Sequence, residues 1–487
     1  MMKTGKIAII AVLLVAGIST RSEGLGDIQT RALSLSQAYT ALARGPETVF
    51  WNPANLALRS GPRFQWELLN LGLSLIAENN GFSVKTYNDN FTDKNRLITD
   101  NDKKKILKDI PAEGLRINMD LDPRFALGIP VNGGVAFPIA KWGLSSAITL
   151  GLNTGFEAEI PKDMIELMLR GNDFDTSYDI ADWEGAGWGM LSFNFAAAKP
   201  WMPARFKPYL DEFTVGGTFK ILSGAYGDTQ HSGGTLLVER EGADLDFNMI
   251  TRVAGGYGFG LDLGVAGVTT DRKLTFSAGL LNFLDYTSWG ISPKQDSLFA
   301  TAIDMKVTSI FGGDSIQDAL DNEDVDGDGD ADFRKNLGDK AFSRSLPAML
   351  RLGAAYQLQP KLVLLGNYDQ AFSSGFGIEA TPRIALGTEY RLVNWFPMRF
   401  GLTVGGRSSG SSLGFAFGPF NLGHTQVEVL DLALVIRGGM LPGGSKGTAI
   451  SLMLFKFNFG VDSIQDALDN EDVDGDGDAD LRKNLGD

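Results

Sequence analysis

The residues best placed to do chemistry are aspartates. Asp324-Val-Asp-Gly-Asp-Gly-Asp-Ala-Asp332 sets carboxylates at every second position, with a glycine, Gly329, at the sixth. Calcium takes six to eight oxygen ligands, and an EF-hand loop draws them from positions 1, 3, 5, 7, 9 and 12. Asp324, Asp326, Asp328, Asp330 and Asp332 fill the first five of those positions. A second copy supplies Asp472, Asp474, Asp476, Asp478 and Asp480, with Gly477 at the turn. Position 12 is Lys335 or Lys483 in place of the bidentate Glu. The spacing therefore predicts a weak Ca2+ site, in the range of roughly 0.1–1 mM. A solvated acidic loop would carry the same composition. Residues 314–339 and 462–487 differ only at Phe333 against Leu481, and each copy carries a charge of −8. The whole chain is −15, so the rest is close to neutral at +1. Such a body exerts no long-range acidic field on basic partners.

Other chemistry is excluded or weak. The 487 residues contain no Cys and two His. That removes a thiol nucleophile, a disulfide framework, a Cys-ligated zinc site and a multi-His metal site. Gly406-Arg-Ser-Ser-Gly410 matches a nucleophile-elbow spacing, but it lies in a Gly/Ser loop with no helix after it. His231 and His424 fall in separate loops. No enzyme is expected, and no nucleic-acid signature occurs. Arg351, Arg383, Arg391, Arg399, Lys220, Glu389 and Asp262 sit on the small or polar faces of alternating segments, which predicts a hydrated mixed-charge network.

The elements that must position these residues are strands. Residues 1–20 have the pattern of a secretory signal: Lys3 and Lys6, the apolar run Ile7–Ile18, then small residues. That run is too short to span a bilayer as a helix, which takes about 20 residues. Beyond it the pattern has period two. Tyr257, Phe259, Leu261, Leu263 and Val265 alternate with Gly258, Gly260, Asp262, Gly264 and Ala266. The same holds over 143–156, 350–358, 383–392 and 399–404. Successive strand side chains point to opposite faces, so each segment has one bulky face and one small or polar face. A soluble sandwich would place Lys, Glu and Thr on its second face, whereas here Gly, Ala, Ser and scattered Arg stand there. This predicts an all-β protein: a transmembrane antiparallel β-barrel whose bulky face meets lipid. Strands in lipid must close, because an open edge leaves backbone groups unsatisfied. About 14 strands fit residues 61–460. Trp142, Trp183, Trp188, Trp201, Trp289 and Trp395 are expected in an interfacial belt. Long loops are expected at 79–111, 171–187, 227–244 and 285–345, with a short helix in 161–170. The small inner face is expected to leave room for a solute.

The most specific local signal runs from Arg31 to Asn55 and contains Ala38-Tyr-Thr-Ala-Leu-Ala43 and Trp51-Asn-Pro-Ala54. It resembles the segment before the barrel in FadL/PorV-like outer-membrane proteins, some of them uncharacterised. The resemblance implies a small N-terminal hatch or plug folded into the barrel, with Trp51, Asn52, Pro53 and Ala54 on it. Pro53 fixes its own φ and pushes Asn52 out of helical geometry, so a tight turn is expected there regardless. The expected organisation is a signal peptide (1–20), a hatch segment (21–60), a barrel (61–460) with the acidic insert 314–339, and an acidic C-terminal repeat (461–487). The expected place is the bacterial outer membrane. Its lipid and the barrel-assembly machinery would be partners, with a small hydrophobic ligand. The expected function is passive transport of small apolar solutes through the plugged barrel. The alternative is a non-transporting component: a secretion-machinery partner, or a calcium-dependent surface binding or adhesion module.

Overall fold

The period-two segments form strands, and the strands close on themselves. The computed structural model describes residues 29–61, 64–91, 98–127, 129–171, 173, 175–239, 243–305, 334–422 and 425–459. The barrel strands are β1 (Gln65–Asn79), β2 (Leu115–Leu127), β3 (Leu144–Ile160), β4 (Glu184–Pro200) and β5 (Leu210–Val238). Then come β6 (Ala243–Thr269), β7 (Leu274–Met305), β8 (Met349–Gln359), β9 (Leu362–Ala371) and β10 (Arg383–Val393). The last four are β11 (Phe396–Gly405), β12 (Gly410–Phe417), β13 (Thr425–Arg437) and β14 (Gly447–Phe459). Each pairs antiparallel with the next, and β14 pairs with β1, from Trp66 opposite Phe459 to Glu78 opposite Gly447. This is a closed 14-stranded antiparallel barrel, as the alternation predicts.

One wall position is built in two pieces. β2 covers β1 only over Leu71–Asn79, and the separate strand Gly133–Ile139 takes over at Gln65 and Trp66. Both pieces pair with β3 on the other side. Between them the chain doubles back through Ile129–Pro130.

The two ends differ. At one end the strands are joined by short turns, such as Gln359 to Leu362 and Val393 to Phe396. At the other end stand the connections that hold helices α3 (Val84–Phe91), α4 (Asp100–Asp109) and α5 (Lys162–Arg170). The helix expected in 161–170 is α5. Two expected loops are mostly strand in their described residues. β5, β6 and β7 have 29, 27 and 32 residues, so they take up most of 227–244 and the first part, 285–305, of 285–345. A lipid span takes about 9–11 residues, so these strands project far beyond it. There neither face meets lipid, the hydrophobic alternation that marks a strand fades, and the ladder between neighbours carries the structure.

The outer face is apolar and exposed. Phe193, Phe195, Phe219, Ile221, Leu386, Phe400 and Leu402 are all exposed on it. No water-soluble fold presents such a belt on a closed barrel, whereas lipid requires it. Trp142 (60% exposed) and Trp201 (58%) stand at the short-turn end, and Trp395 joins Phe396, Phe417 and Phe420 there. Trp188 and Trp289 correct the belt expectation. They are 4% and 0% exposed and face the lumen. Trp188 shares the inward parity of Ala186 and Met190, and that parity outweighs its nearness to a strand end.

Candidate functional site

The lumen is filled at two levels. The lower level is the segment Gln29–Gly61, which lies inside the barrel with nearly every residue buried. It contains α1 (Thr30–Ser34), a 3-10 turn at Gly45–Glu47, α2 (Thr48–Trp51) and a second 3-10 turn at Pro53–Ala57. Helices this short have no independent stability, so contacts with the wall must supply it.

The Trp51–Ala54 motif is the centre of those contacts. Asn52 is extended, with φ −159° and ψ 112°, as a residue before proline should be. Its Oδ1 accepts from the Ala54 N–H at 2.9 Å and caps the 3-10 turn that Pro53 opens. Its Nδ2 reaches the wall: Val265 O at 3.0 Å, Ser277 Oγ at 2.6 Å and Ala278 O at 3.1 Å. Trp51 is fully buried, edge-on to Tyr39 at 5.3 Å and beneath the Arg351 guanidinium at 4.5 Å. Ala54 offers its carbonyl to Thr214 Oγ1 at 2.9 Å. Asn55, next to the motif, donates to Thr40 O and accepts from Ser277 Oγ, tying the two halves of the segment together.

Ion pairs hold the flanks. Arg31 is bidentate to Glu389, with both N···O distances 2.9 Å, and Glu389 also accepts from Arg399, which reaches Asp431 at 2.7 Å. Glu47 accepts from Lys456 Nζ at 2.6 Å and from Tyr39 OH at 2.6 Å. Burial pushes the Glu47 carboxyl up, but the Lys456 charge and the hydrogen bonds from Lys456 and Tyr39 outweigh it and hold it down to about 2. The same burial and the Glu47 charge push the Tyr39 phenol far up, so Tyr39 stays a donor. The expected mixed-charge network is present on the wall as well, in Arg351–Asp369–Arg383 and Lys220–Asp262.

The inner glycines do not line an empty passage, and this corrects the expected room for a solute. They are where the hatch backbone presses on the wall. A Cβ on Gly264 would lie 1.9 Å from Asn52 Oδ1, and one on Gly401 2.3 Å from the Leu35 carbonyl carbon. On Gly216 it would meet Pro53 and Ala54 at 2.8 Å. Sequence alternation marks these positions as inward and small without showing what fills them.

The upper level is aromatic. Trp188, Tyr226 and Trp289 line one side of the lumen together with Met190 and Leu222. Into this chamber drops the tip of the connection between β9 and β10. Gly375 and Ile378 exchange backbone hydrogen bonds at 3.0 and 2.9 Å, and the two residues between them, Phe376 and Gly377, have φ of 49° and 82°. Both values lie in the left-handed region, which a two-residue hairpin turn requires. Phe376 lies 5.0 Å from Tyr226, 5.6 Å from Trp188 and 6.3 Å from Trp289. The polar edges of the chamber are satisfied: Trp188 Nε1 donates to Asn153 and Trp289 Nε1 to the Arg344 carbonyl. No motif in the sequence singles out Phe376.

Other candidate residues are not gathered here. Ser408 donates to Glu78, and Arg407 of the same loop pairs with Glu78 and Asp120, so that loop is tied to the wall. His231 is exposed on a projecting strand. His424, the signal segment 1–20, Asp324, Asp326, Asp328, Asp330 and Asp332, and the second set from Asp472 to Asp480 lie outside the described residues.

Residues 57–249 and 227–426 match the model of a family described as a family of unknown function, DUF5723. The chain belongs to this family. No curated protein matches the DUF5723 chain. Solved structures of similar fold include a Pseudomonas aeruginosa FadL homologue at 13% identity, covering 91% of this chain and 100% of that one with a TM-score of 0.49. The P. putida toluene transporter TodX is similar at 11% identity, with 88% and 98% covered and a TM-score of 0.48. The Ralstonia pickettii toluene transporter TbuX is similar at 13% identity, with 90% and 99% covered and a TM-score of 0.43.

Proposed function

We propose that this DUF5723 protein is a bacterial outer-membrane barrel that admits small apolar solutes through a gated lumen. The observation that carries this is the lumenal aromatic cluster that Phe376 fills, in a barrel whose lower level is filled by the hatch. Phe376 occupies the chamber as a solute ring would: it buries an apolar group among aromatic faces without asking for a hydrogen bond. The chamber opens only if the 372–382 connection lifts, and the lower lumen only if the hatch shifts. The hatch is held by side-chain hydrogen bonds and ion pairs to the inner face of the wall. Such contacts can be exchanged for water, unlike the strand ladders beneath them. The wall broken between β2 and Gly133–Ile139 offers a second place at which the lumen can change shape.

Uptake of a radiolabelled monoaromatic hydrocarbon by intact cells tests this. A deletion of 29–57 should raise uptake severalfold, and Asn52→Ala should move it in the same direction to a smaller extent. Uptake identical in wild type, both variants and cells lacking the protein would end the proposal.

A further inference from the structure

The lipid-facing surface is not uniform. Across β3 to β8 a groove of about 630 Å³ is cut into it. The groove follows one row of paired residues: Ser145 with Ala198, Ala198 with Gly216, Gly216 with Gly264, Gly264 with Gly279, and Gly279 with Arg351. Six strands spaced about 4.8 Å apart give it a length of roughly 24 Å. Ala197, Gly217 and Ala278 make its floor, and Val215, Leu263, Leu280 and Leu350 its apolar sides.

The ends of the groove are unlike. At one end is Lys199, next to the last residue of β4 and beside the short turns. It is exposed and has no ion-pair partner among the described residues. Near it Trp201 and Phe206 both pack on Phe213, at 6.1 and 5.2 Å, and the Arg205 guanidinium lies 4.7 Å over Phe206. Trp142, two residues before Leu144 of the lining, is exposed at the same level. Trp and cations at one height mark a headgroup layer. The other end, at Leu350, lies nine residues above Gln359, the last residue of β8 at the short-turn end, and so within the apolar belt. The groove thus runs from a cationic rim into hydrocarbon. Short turns face the periplasm in barrels of this kind.

We propose that this groove binds one acyl chain of an anionic phospholipid of the periplasmic leaflet, with Lys199 at its phosphate. The charge at the rim decides the class. A lone ammonium in a headgroup layer attracts an anionic lipid by about 1 kcal/mol, or about fivefold. The inference rests on the barrel spanning a membrane and not on what passes through it.

Native mass spectrometry of the full chain in detergent tests it, with phosphatidylglycerol or phosphatidylcholine of identical chains added. One phosphatidylglycerol should be retained about fivefold over phosphatidylcholine. Lys199→Gln should erase that preference, and Ala197→Phe with Ala278→Phe should release both lipids. Deleting the hatch should leave lipid retention unchanged, whatever it does to solute uptake. Equal retention by the filled-groove variant, or an undiminished preference in Lys199→Gln, would overturn the proposal. A dimer that the two phenylalanines dissociate would overturn it too, by making a second copy the occupant. If the filled-groove variant does not fold, judged by heat-modifiable gel mobility, Lys199→Gln decides alone.

Discussion

Asn52 makes three donor contacts to the wall and one local acceptor contact, an unusual concentration for one amide. Replacing it with Ala leaves the wall groups without that partner and uncaps the 3-10 turn, at a cost of about 2 kcal/mol in hatch binding. Gly264 is the complementary position, because a methyl group there would occupy the site of Asn52 Oδ1. Gly264→Ala should therefore dislodge the hatch while the lipid face stays as it is. The chain has no cysteine, so a Ser34→Cys background gives a single buried thiol as reporter. Maleimide labelling of that thiol should rise at least tenfold with Gly264→Ala and less with Asn52→Ala. Equal protection in all three would show that the wall does not hold the hatch at this point.

As an element, the hatch depends on charge as well as shape. Glu47 has an ordinary carboxyl value of 4.5 and is held down to about 2. A group depressed in the folded form contributes fully above its unfolded value and loses that contribution as pH falls through its folded value. The Glu47–Lys456–Tyr39 latch should therefore be intact from pH 7 to about 4.5 and be lost progressively toward pH 2. Protection of the Ser34→Cys thiol against a pH-insensitive thiol reagent, such as a dipyridyl disulfide, should follow that curve. In Glu47→Gln it should lose this dependence. Loss of protection already between pH 7 and 5 would assign the latch to another group. The aromatic roof is a separate element, joined to the wall through the packing of Phe376 and through the pair of Glu379 with Arg116 of β2.

For the whole molecule, the decisive question is what covers the outer belt. Leu386 is 59% exposed on β10, opposite Leu402 of β11. An exposed Leu→Arg change on a water-soluble protein is worth within about 0.5 kcal/mol either way. On the lipid face of a barrel it costs about 2–4 kcal/mol near the midplane. Leu386→Arg should lower folding stability in phospholipid vesicles by that amount, measured by urea titration of tryptophan fluorescence. An unchanged midpoint would mean that the belt does not meet hydrocarbon.

Much of this architecture is legible in the residues alone. Period-two alternation fixes which side chains of 257–265, 350–358, 383–392 and 399–404 face out. That follows because a strand has only two faces and lipid accepts only one kind of residue. The same rule places Arg351, Glu389 and Arg399 inside, and Pro53 forces the turn that Asn52 caps. Three features needed tertiary structure. The projecting parts of β5, β6 and β7 lack alternation because neither face meets lipid, so only pairing with their neighbours makes them strands. Trp188 and Trp289 sit near segment ends, as belt residues do, and only their parity in the closed barrel turns them inward. The inner glycines announce that something must come close, but their partners, Leu35, Asn52 and Ala54, lie hundreds of residues away in the chain. A missing side chain carries no record of what fills its place, so the closed lumen and the Phe376 roof belong to the fold alone.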